Sequence, residues 1–265
     1  MAYSSIFYLF SHFFVQLLSI GGTEQAMPTL GPHLNGVHKS VEDSLLKHIY
    51  LSFDDGPNLG TSNCIRVCSK QKVAATYFEV GFHLAGNRKG QRLYQEILKN
   101  DSLFALCNHS FSHAYSKYLT YYHHPQEAFA DFMLAESLLQ SKNNIVRLPG
   151  NNAWNTTEVK RASGLVRPLV QQLDSANFNI IGWDMEWRFN KKGRPIKSPE
   201  AIAGLVDSLF KFNLTVTKNH LVILMHDHMF RAAEDSIKLD KMIALLKQNS
   251  RYRFEKLTHY PGLKN

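Results

Sequence analysis

Apolar and polar residues alternate in blocks along most of the chain. Short apolar runs of about four to eight residues end at polar or turn-forming residues, as is typical of buried strands. Longer amphipathic stretches lie between them, as in helices that cover a sheet. The pattern predicts strands at residues 48–53, 73–80, 103–107, 145–148, 179–183 and 220–225. It predicts helices at residues 61–71, 91–99, 125–141, 165–176, 199–212 and 237–249.

Strand and helix take turns from residue 46 onward, an order typical of parallel βαβ units. This order predicts an α/β fold, with either a barrel or a doubly wound sheet. No gap in the pattern is long enough to mark a second domain, so we expect one domain over residues 46–265. The chain has 265 residues, 44% of them hydrophobic, and can bury a substantial core.

The first 45 residues follow a different pattern. Residues 1–26 contain an apolar stretch at residues 6–20, which resembles a signal peptide or a short anchor, although no Lys or Arg precedes Lys39. Residues 27–45 read as a linker because they are rich in proline, glycine and polar residues. We expect an exported or cell-envelope-associated protein with membrane contact through residues 1–20. The alternative is an amphipathic helix that packs on the domain or on a membrane surface, and otherwise we expect a cytoplasmic protein.

Composition narrows the choice of partners. The net charge is +8 and the sequence pI is about 9.3, which favours anionic surroundings. The basic residues are scattered and do not alternate with aromatic residues, so nucleic acid is not expected as a partner. Cys64 and Cys68 lie four apart in a predicted helix, and we interpret them as packing positions on one face.

Polar side chains follow the ends of five predicted strands. Because the carboxyl ends of parallel strands meet at one edge of a sheet, we expect these side chains to share one site. The residues are Asp54 and Asp55, then Asn108, His109 and His113, then Arg147, then Asp184 and Glu186, and finally His226, Asp227 and His228. Asp227 and His228 could touch the site, but we interpret them as solvated loop positions.

The spacing of His109 and His113 would place both imidazoles on one side of a helical turn, within reach of a single ion. By itself, a histidine pair at this spacing more often lies on the surface or packs in the core than binds a metal. Together with the carboxylate of Asp55, however, it makes a three-ligand site of the kind found in hydrolytic metal centres. Adjacent carboxylates repel unless a cation or a proton stands between them, so an ion at Asp55 would leave Asp54 free as a base.

Five motifs in this order resemble those of the polysaccharide deacetylases of carbohydrate esterase family 4, whose catalytic unit is the NodB homology domain. They are Ser-Phe-Asp-Asp-Gly-Pro at 52–57, His-Ser-Phe-Ser-His at 109–113, Arg-Leu-Pro-Gly at 147–150, the acidic and aromatic segment at 183–187, and Leu-Met-His-Asp at 224–227. Residues 252–254 resemble the closing strand of that domain. The resemblance extends over about residues 46–259.

The resemblance implies a distorted (β/α) barrel of the NodB type over the domain at residues 46–265. It also implies one divalent metal ion, usually zinc, with cobalt, nickel or manganese as alternatives. Asp55, His109 and His113 would be the metal ligands.

The resemblance further assigns catalytic roles. Asp54 would be the general base, Arg147 would orient and charge-balance Asp54, and His226 would protonate the departing amine. A carboxylate three residues after a tryptophan commonly tunes that histidine in the family. This register favours Glu186 over Asp184.

The expected function is metal-dependent hydrolysis of the N-acetyl group of an amino sugar in a polysaccharide or envelope glycan, with release of acetate. The expected partner is therefore an N-acetylated glycan. Gly150 stands where many family members have an aromatic residue, which predicts a more open or differently shaped site. The alternative function is a catalytically silent glycan-binding protein on the same barrel.

Overall fold

A computed structural model of the chain describes residues 46–264. The predictions for residues 1–26 and 27–45 lie outside the described residues. The strands, in chain order, are β1 (Lys47–Gly56), β2 (Ala75–Glu79), β3 (Phe104–Asn108), β4 (Ile145–Val146), β5 (Trp154–Asn155), β6 (Lys160–Arg161), β7 (Asn179–Ile180), β8 (Met185–Glu186), β9 (His220–His226) and β10 (Tyr252–Phe254).

The strands form a single ten-stranded sheet. Its order is β6-β5-β7-β4-β3-β2-β1-β9-β8, with β10 paired to β1. The pairs of β5 with β6 and with β7 are antiparallel, and the other pairs are parallel. The sheet curls into a half-barrel covered by helices, which confirms the predicted α/β fold and distorted barrel.

The helices are α1 (Thr61–Gln71), α2 (Arg88–Lys99), α3 (Tyr118–His123), α4 (Pro125–Leu139), α5 (Arg167–Ser175), α6 (Pro199–Lys211) and α7 (Ala233–Leu246). Helix α2 begins earlier than predicted because the Asn87 side chain caps it, accepting hydrogen bonds from the amides of Lys89 and Gly90. Ser198 caps α6 in the same way, and Pro199 fits the first turn. Among residues 46–264, none of the helices is long and apolar enough to cross a membrane.

The apolar run at 179–183 was predicted as one strand, but only Asn179–Ile180 pairs as β7. The carbonyl oxygens of Ile181 and Gly182 instead accept hydrogen bonds from the buried Arg147 side chain. The Arg147 side chain, and not a neighbouring strand, is thus the hydrogen-bond donor to these two carbonyl groups. The sequence pattern also missed the short helix α3 and the β5–β6 hairpin, whose strands have two residues each.

Strand β1 lies at the centre of the sheet and is buried on both faces. Leu51 and Phe53 pack into the main core, whereas Tyr50 packs into a second cluster. Both-sided burial is typical of a parallel strand between layers of helices. Cys64 and Cys68 of α1 are free and fully buried in the main core, which confirms their interpretation as packing positions. The packing gives the carboxyl end of β1 a rigid support.

Candidate metal centre

A β-bulge brings two consecutive carboxylates to the same edge of the sheet. Successive side chains of a regular strand point to opposite faces. In β1 the register with β2 shifts between Asp54 and Gly56, and Asp55 has a φ of 71°. A bulge re-aims side chains in this way. Asp54 and Asp55 can therefore both face the space beyond the end of β1.

His109 and His113 reach the same space through a left-handed turn. His109 directly follows β3, and the segment from His113 to Ser116 has positive φ angles throughout, starting at 51°. Ser110, with a φ of 69°, accepts a hydrogen bond at its Oγ from the His113 amide over 3.0 Å. The predicted right-handed helical turn is therefore wrong, because five residues of this loop adopt the left-handed region.

Three side chains with metal-ligand atoms converge at this edge. Nε2 of His113 lies 3.0 Å from Asp55 Oδ1, and Nε2 of His109 lies 3.5 Å from the same oxygen. One ligand atom from each of Asp55, His109 and His113 lies within 4.8 Å of the others. Among the described residues, this is the one group of at least three His, Cys, Asp or Glu close enough to share an ion. The structure thus brings together the three residues that the sequence predicted as ligands.

The donor set fits a divalent ion such as zinc. Nδ1 of His109 lies 2.9 Å from the carbonyl oxygen of Arg147, which can only accept. Nδ1 therefore carries a proton, and Nε2 presents a lone pair to the site. Asp55 Oδ1 is buried and makes no hydrogen bond to the described residues. Two imidazoles and one carboxylate around a shared space form a three-ligand site with open positions.

The electrostatics favour an ionised Asp55. Burial would raise the pKa of its carboxyl, but the imidazoles of His109 and His113 outweigh burial and hold that pKa well below its ordinary value. Burial would likewise lower the pKa of His109, but the charges of Asp54 and Asp55 raise it. The two carboxylates thus attract positive charge into the site.

The predicted contact between Arg147 and Asp54 is present. Nη1 of Arg147 donates to Asp54 Oδ1 over 2.8 Å, with both side chains almost completely buried. The same guanidinium donates to Ser52 Oγ and lies 4.0 Å above the Phe78 ring. Asp54 Oδ2 points the other way and lies 3.6 Å from Nε2 of His109. One oxygen is therefore fixed, and the other faces the candidate metal centre.

His226 lies on the far side of Asp55 at the end of β9, where it is the register partner of Asp54. Its Nε2 is 3.9 Å from Asp55 Oδ2. Its Nδ1 is buried and has no hydrogen-bond partner in the described part of the chain. The Phe189 ring stands edge-on to the imidazole, with 5.1 Å between the ring centroids.

Neither carboxylate predicted to tune His226 forms a hydrogen bond or an ion pair with it in the described part of the chain. Both Asp184 oxygens accept backbone amides, from Val216 over 2.6 Å and from Val222 over 2.7 Å, near the opposite end of β9. Burial raises the pKa of Asp184 to about 6. The Glu186 carboxylate instead pairs with Arg188 over 3.3 Å. Asp184 is therefore a fold residue, and the pairing of Glu186 with His226 is absent.

Two fully buried carboxylates, those of Glu79 and Asp227, lie beneath the site. Glu79 was not predicted, and the prediction of Asp227 as a solvated loop position is wrong because its side chain is fully buried. A Cβ added at Gly56 would lie 2.7 Å from Asp227 Oδ2 and 2.8 Å from Glu79 Oε1. Burial raises the pKa of Asp227 to about 7, and burial together with the charges of Asp227 and Asp54 raises that of Glu79 well above its ordinary range. Both Glu79 oxygens lack hydrogen-bond partners among residues 46–264. For Glu79, the sequence did contain a signal, because a charged residue stands inside the apolar run at 73–80.

An aromatic ring occupies the space that Gly150 was expected to leave open. A Cβ added at Gly150 would lie 3.1 Å from the ring of Tyr118. This ring also stands edge-on to His113 at 5.8 Å. Because Tyr118 comes from the unpredicted helix α3, the sequence motif at 147–150 could not show that an aromatic side chain borders the site.

Exposed apolar side chains surround the mouth of the site. Leu59, Phe82 and Tyr115 are 63%, 56% and 66% exposed. A groove of about 250 Å³ beside them is lined in part by Leu59 and by His83, whose Nδ1 lies 3.0 Å from the Asp55 carbonyl oxygen. Apolar and aromatic faces of this kind can stack on sugar rings.

The fold and the site together define a class of protein: an α/β half-barrel with a candidate mononuclear metal centre at the carboxyl edge of its sheet. The sequence profile of the polysaccharide deacetylase family matches residues 43–165. This match supports the resemblance to the polysaccharide deacetylases of carbohydrate esterase family 4 that the motifs predicted.

The chain is similar in sequence to named deacetylases and in fold to a solved deacetylase domain. The chain is 23% identical to a chitin disaccharide deacetylase of Vibrio alginolyticus, over 80% of this chain and 71% of that one. It is also 23% identical to a peptidoglycan-N-acetylglucosamine deacetylase of Bacillus cereus, over 80% and 69%. The catalytic domain of peptidoglycan N-acetylglucosamine deacetylase from Eubacterium rectale superposes with a TM-score of 0.59 at 26% identity, over 83% of this chain and 94% of that domain.

Proposed function

We propose that this protein is a metal-dependent hydrolase that removes the N-acetyl group of an amino sugar in a polysaccharide or envelope glycan. The products would be acetate and a free amine. The observation that carries the proposal is the free Asp54 oxygen beside the three-residue group of Asp55, His109 and His113. The relatives named as deacetylases of a chitin disaccharide and of peptidoglycan support the substrate class.

The metal proposed for this site is zinc, with cobalt, nickel or manganese as alternatives, held by Asp55, His109 and His113. A divalent ion bound there would supply Lewis acidity, which lowers the pKa of water and polarises a carbonyl oxygen. The carbonyl oxygen of Arg147 fixes the His109 tautomer that this role needs.

Asp54 is proposed as the general base. Arg147 occupies its Oδ1, so Oδ2 is the oxygen that can take the proton of a water attacking the acetamide carbon. The buried ion pair also fixes the direction in which that oxygen points. Orientation of a base before the reaction is itself a catalytic contribution.

His226 is proposed as the general acid. It is the register partner of Asp54 on the neighbouring strand, so base and acid flank the same space. When the carbon–nitrogen bond breaks, the departing nitrogen needs a proton, and Nε2 of His226 faces the site. Phe189 against the ring limits its rotation.

The partner in this proposal is an N-acetylated glycan. Exposed Leu59, Phe82 and Tyr115 around the mouth offer apolar surfaces for sugar rings. We further propose that residues 46–265 are the catalytic domain, and that the apolar stretch at 6–20 serves export or anchoring near the envelope glycans.

The test is a screen for acetate release from chitooligosaccharides, peptidoglycan fragments and N-acetylated envelope glycans. Wild type, Asp54→Asn and metal-stripped protein are compared, and the stripped protein is then reloaded with zinc. We expect release by wild type on at least one substrate, a decrease of about 10²–10⁴-fold in Asp54→Asn, and recovery after reloading. Activity that survives either treatment contradicts the mechanism. Glycan binding without release on every substrate would favour the silent glycan-binding alternative.

A further inference from the structure

A basic and apolar surface lies at the end of the domain opposite the candidate metal centre. The metal centre occupies the carboxyl ends of the parallel strands, whereas this surface surrounds their amino ends and the end of α6. We call it the amino pole. It consists of Lys47, Lys211, Phe212, Leu214, Lys218 and Arg251.

Contacts between β1, β9 and β10 bring the cations together. The Lys47 amide donates to the carbonyl oxygen of Arg251 over 2.9 Å, and Lys47 Nζ donates to Asn219 Oδ1, next to Lys218, over 2.5 Å. Lys47, Lys211 and Arg251 line one cavity of about 570 Å³. Three cations from three separate chain segments therefore line one open space, and the charge of Lys218 acts on Lys47 beside it.

The positive charge at the amino pole is compensated only in part, because Asp207 is the one carboxylate among the described residues that line its cavity. None of its four cations forms an ion pair with a carboxylate of residues 46–264. The Asp207 carboxylate accepts a hydrogen bond from Tyr252. Burial and the charges of Arg251 and Lys218 lower the pKa of Lys47. A cation at a helix end complements the helix dipole, which accounts for Lys211 but not for Lys218 or Arg251.

Two large apolar side chains stand among these cations. Phe212 and Leu214, in the segment between α6 and β9, are 61% and 64% exposed. Exposed apolar residues close to lysines are typical of segments that enter the headgroup region of a bilayer. A soluble anion would contact the cations but would gain nothing from an exposed leucine, whereas a bilayer surface uses both features.

We propose that the amino pole docks on a bilayer surface that contains anionic phospholipid headgroups. Lys47, Lys211, Lys218 and Arg251 contact the phosphates, while Phe212 and Leu214 enter the interface. Strand β1 begins with Lys47 at this same pole. The candidate metal centre then faces away from the bilayer.

To test this, the binding of the full-length chain is measured with vesicles of phosphatidylcholine alone and with vesicles that also contain phosphatidylglycerol. A basic residue near an anionic surface contributes about 1 kcal/mol. The double variant Lys211→Gln/Arg251→Gln should therefore bind the anionic vesicles about tenfold to thirtyfold more weakly than wild type. Its binding to phosphatidylcholine should not change, because residues 6–20 are intact. Both side chains are exposed, so the fold should persist.

The matched control is Arg88→Gln/Lys89→Gln, which removes the same charge from exposed positions at the opposite end of the domain. This control should bind anionic vesicles as wild type does. Equal losses in the two double variants would show that net charge alone drives binding, and would overturn the proposal. A wild type that does not distinguish the two kinds of vesicle would overturn it as well.

Insertion is tested by fluorescence. Tryptophan placed by Phe212→Trp should show a blue-shifted emission on anionic vesicles, relative to wild type. Tryptophan placed by Leu59→Trp, at an equally exposed position near the metal centre, should not shift. A shift in both variants or in neither contradicts the proposed orientation.

Discussion

Arg147 contacts three segments of the site, two through its buried guanidinium and one through its backbone carbonyl group. It donates to Asp54 and Ser52 of β1 and to the carbonyl oxygens of Ile181 and Gly182 beyond β7. Its own backbone carbonyl orients His109. A planar guanidinium with five fixed donors can serve all these acceptors at once, whereas an ammonium group cannot.

Arg147→Lys should therefore reduce activity although it keeps the charge. We expect kcat for acetate release to fall by at least about 100-fold and the free energy of unfolding to fall by roughly 2–4 kcal/mol, because buried carbonyl groups lose their partners. Steady-state kinetics and urea unfolding measure the two effects. Arg167→Lys, at an exposed position on α5, is the control and should change neither. An unchanged kcat in Arg147→Lys would contradict the role given to Arg147.

Glu79 and Asp227 face each other without a cation beside them in the described structure. Two close, buried carboxyls disfavour a second negative charge. Burial raises the pKa of both carboxyls, to about 7 for Asp227, and the charges of Asp227 and Asp54 raise the pKa of Glu79 further. The folded protein thus holds protons that the unfolded chain releases near pH 4.

This excess of bound protons sets the sign of a pH effect. Between about pH 4 and pH 7 the folded state binds more protons than the unfolded state, so the free energy of unfolding falls as pH rises through this window. Glu79→Gln removes one carboxylate and should reduce the decline by roughly 1–3 kcal/mol. Urea unfolding at several pH values measures it. Glu96→Gln, exposed on α2, should keep the wild-type slope, and an equally steep slope in Glu79→Gln would contradict the account.

At the scale of elements, the turn before α1 is held against the segment after β9. Asp227 accepts hydrogen bonds from Thr61, the first residue of α1, and from Asn58. Gly60 lies so close that an added Cβ would meet the Asp227 carbonyl oxygen at 1.7 Å. Because the neighbouring atom belongs to the backbone, it cannot relieve the contact by a change of rotamer as a flexible side chain could. The packing of α1 therefore helps to set the position of His226.

Two glycine substitutions test this contact. Gly60→Ala should lower the free energy of unfolding by about 2 kcal/mol or more, because the new methyl group forces the backbone apart. Gly204→Ala, in the middle of α6 with nothing near the added Cβ, should raise it by about 0.5–1 kcal/mol. Equilibrium unfolding in urea measures both. A neutral Gly60→Ala would show that the turn does not pack as described.

The order of elements could be predicted from sequence because it depends on local periodicity, and α1 begins and ends where predicted. Placing Asp54, Arg147 and His226 in one site needed only the rule that parallel strands end at one edge. The bulge at Asp55 and the left-handed turn after His109 could not be predicted, since tertiary contacts select those backbone angles. The same holds for Tyr118 beside Gly150, and for Arg147, whose hydrogen bonds to carbonyl oxygens end strand β7 early.

At the scale of the whole molecule, the half-barrel unites groups from distant parts of the chain around one small space. Asp55 comes from β1, His109 and His113 from the loop after β3, and His226 from the end of β9. Each strand is held by neighbours on both sides, so the ligand atoms are positioned before an ion arrives. Preorganisation of this kind predicts that one ion binds tightly and that its affinity falls strongly when any one of the ligand side chains is removed.

The most direct measurement is a calorimetric titration of zinc into metal-free protein. Wild type should bind one ion per chain, and His113→Ala should bind it at least about 100-fold more weakly, because one of three ligands is lost. His123→Ala, which removes an exposed histidine of α3, should bind as wild type does. No zinc binding by folded wild type, or equal affinity in wild type and His113→Ala, would contradict the proposed metal centre and the hydrolytic function that depends on it.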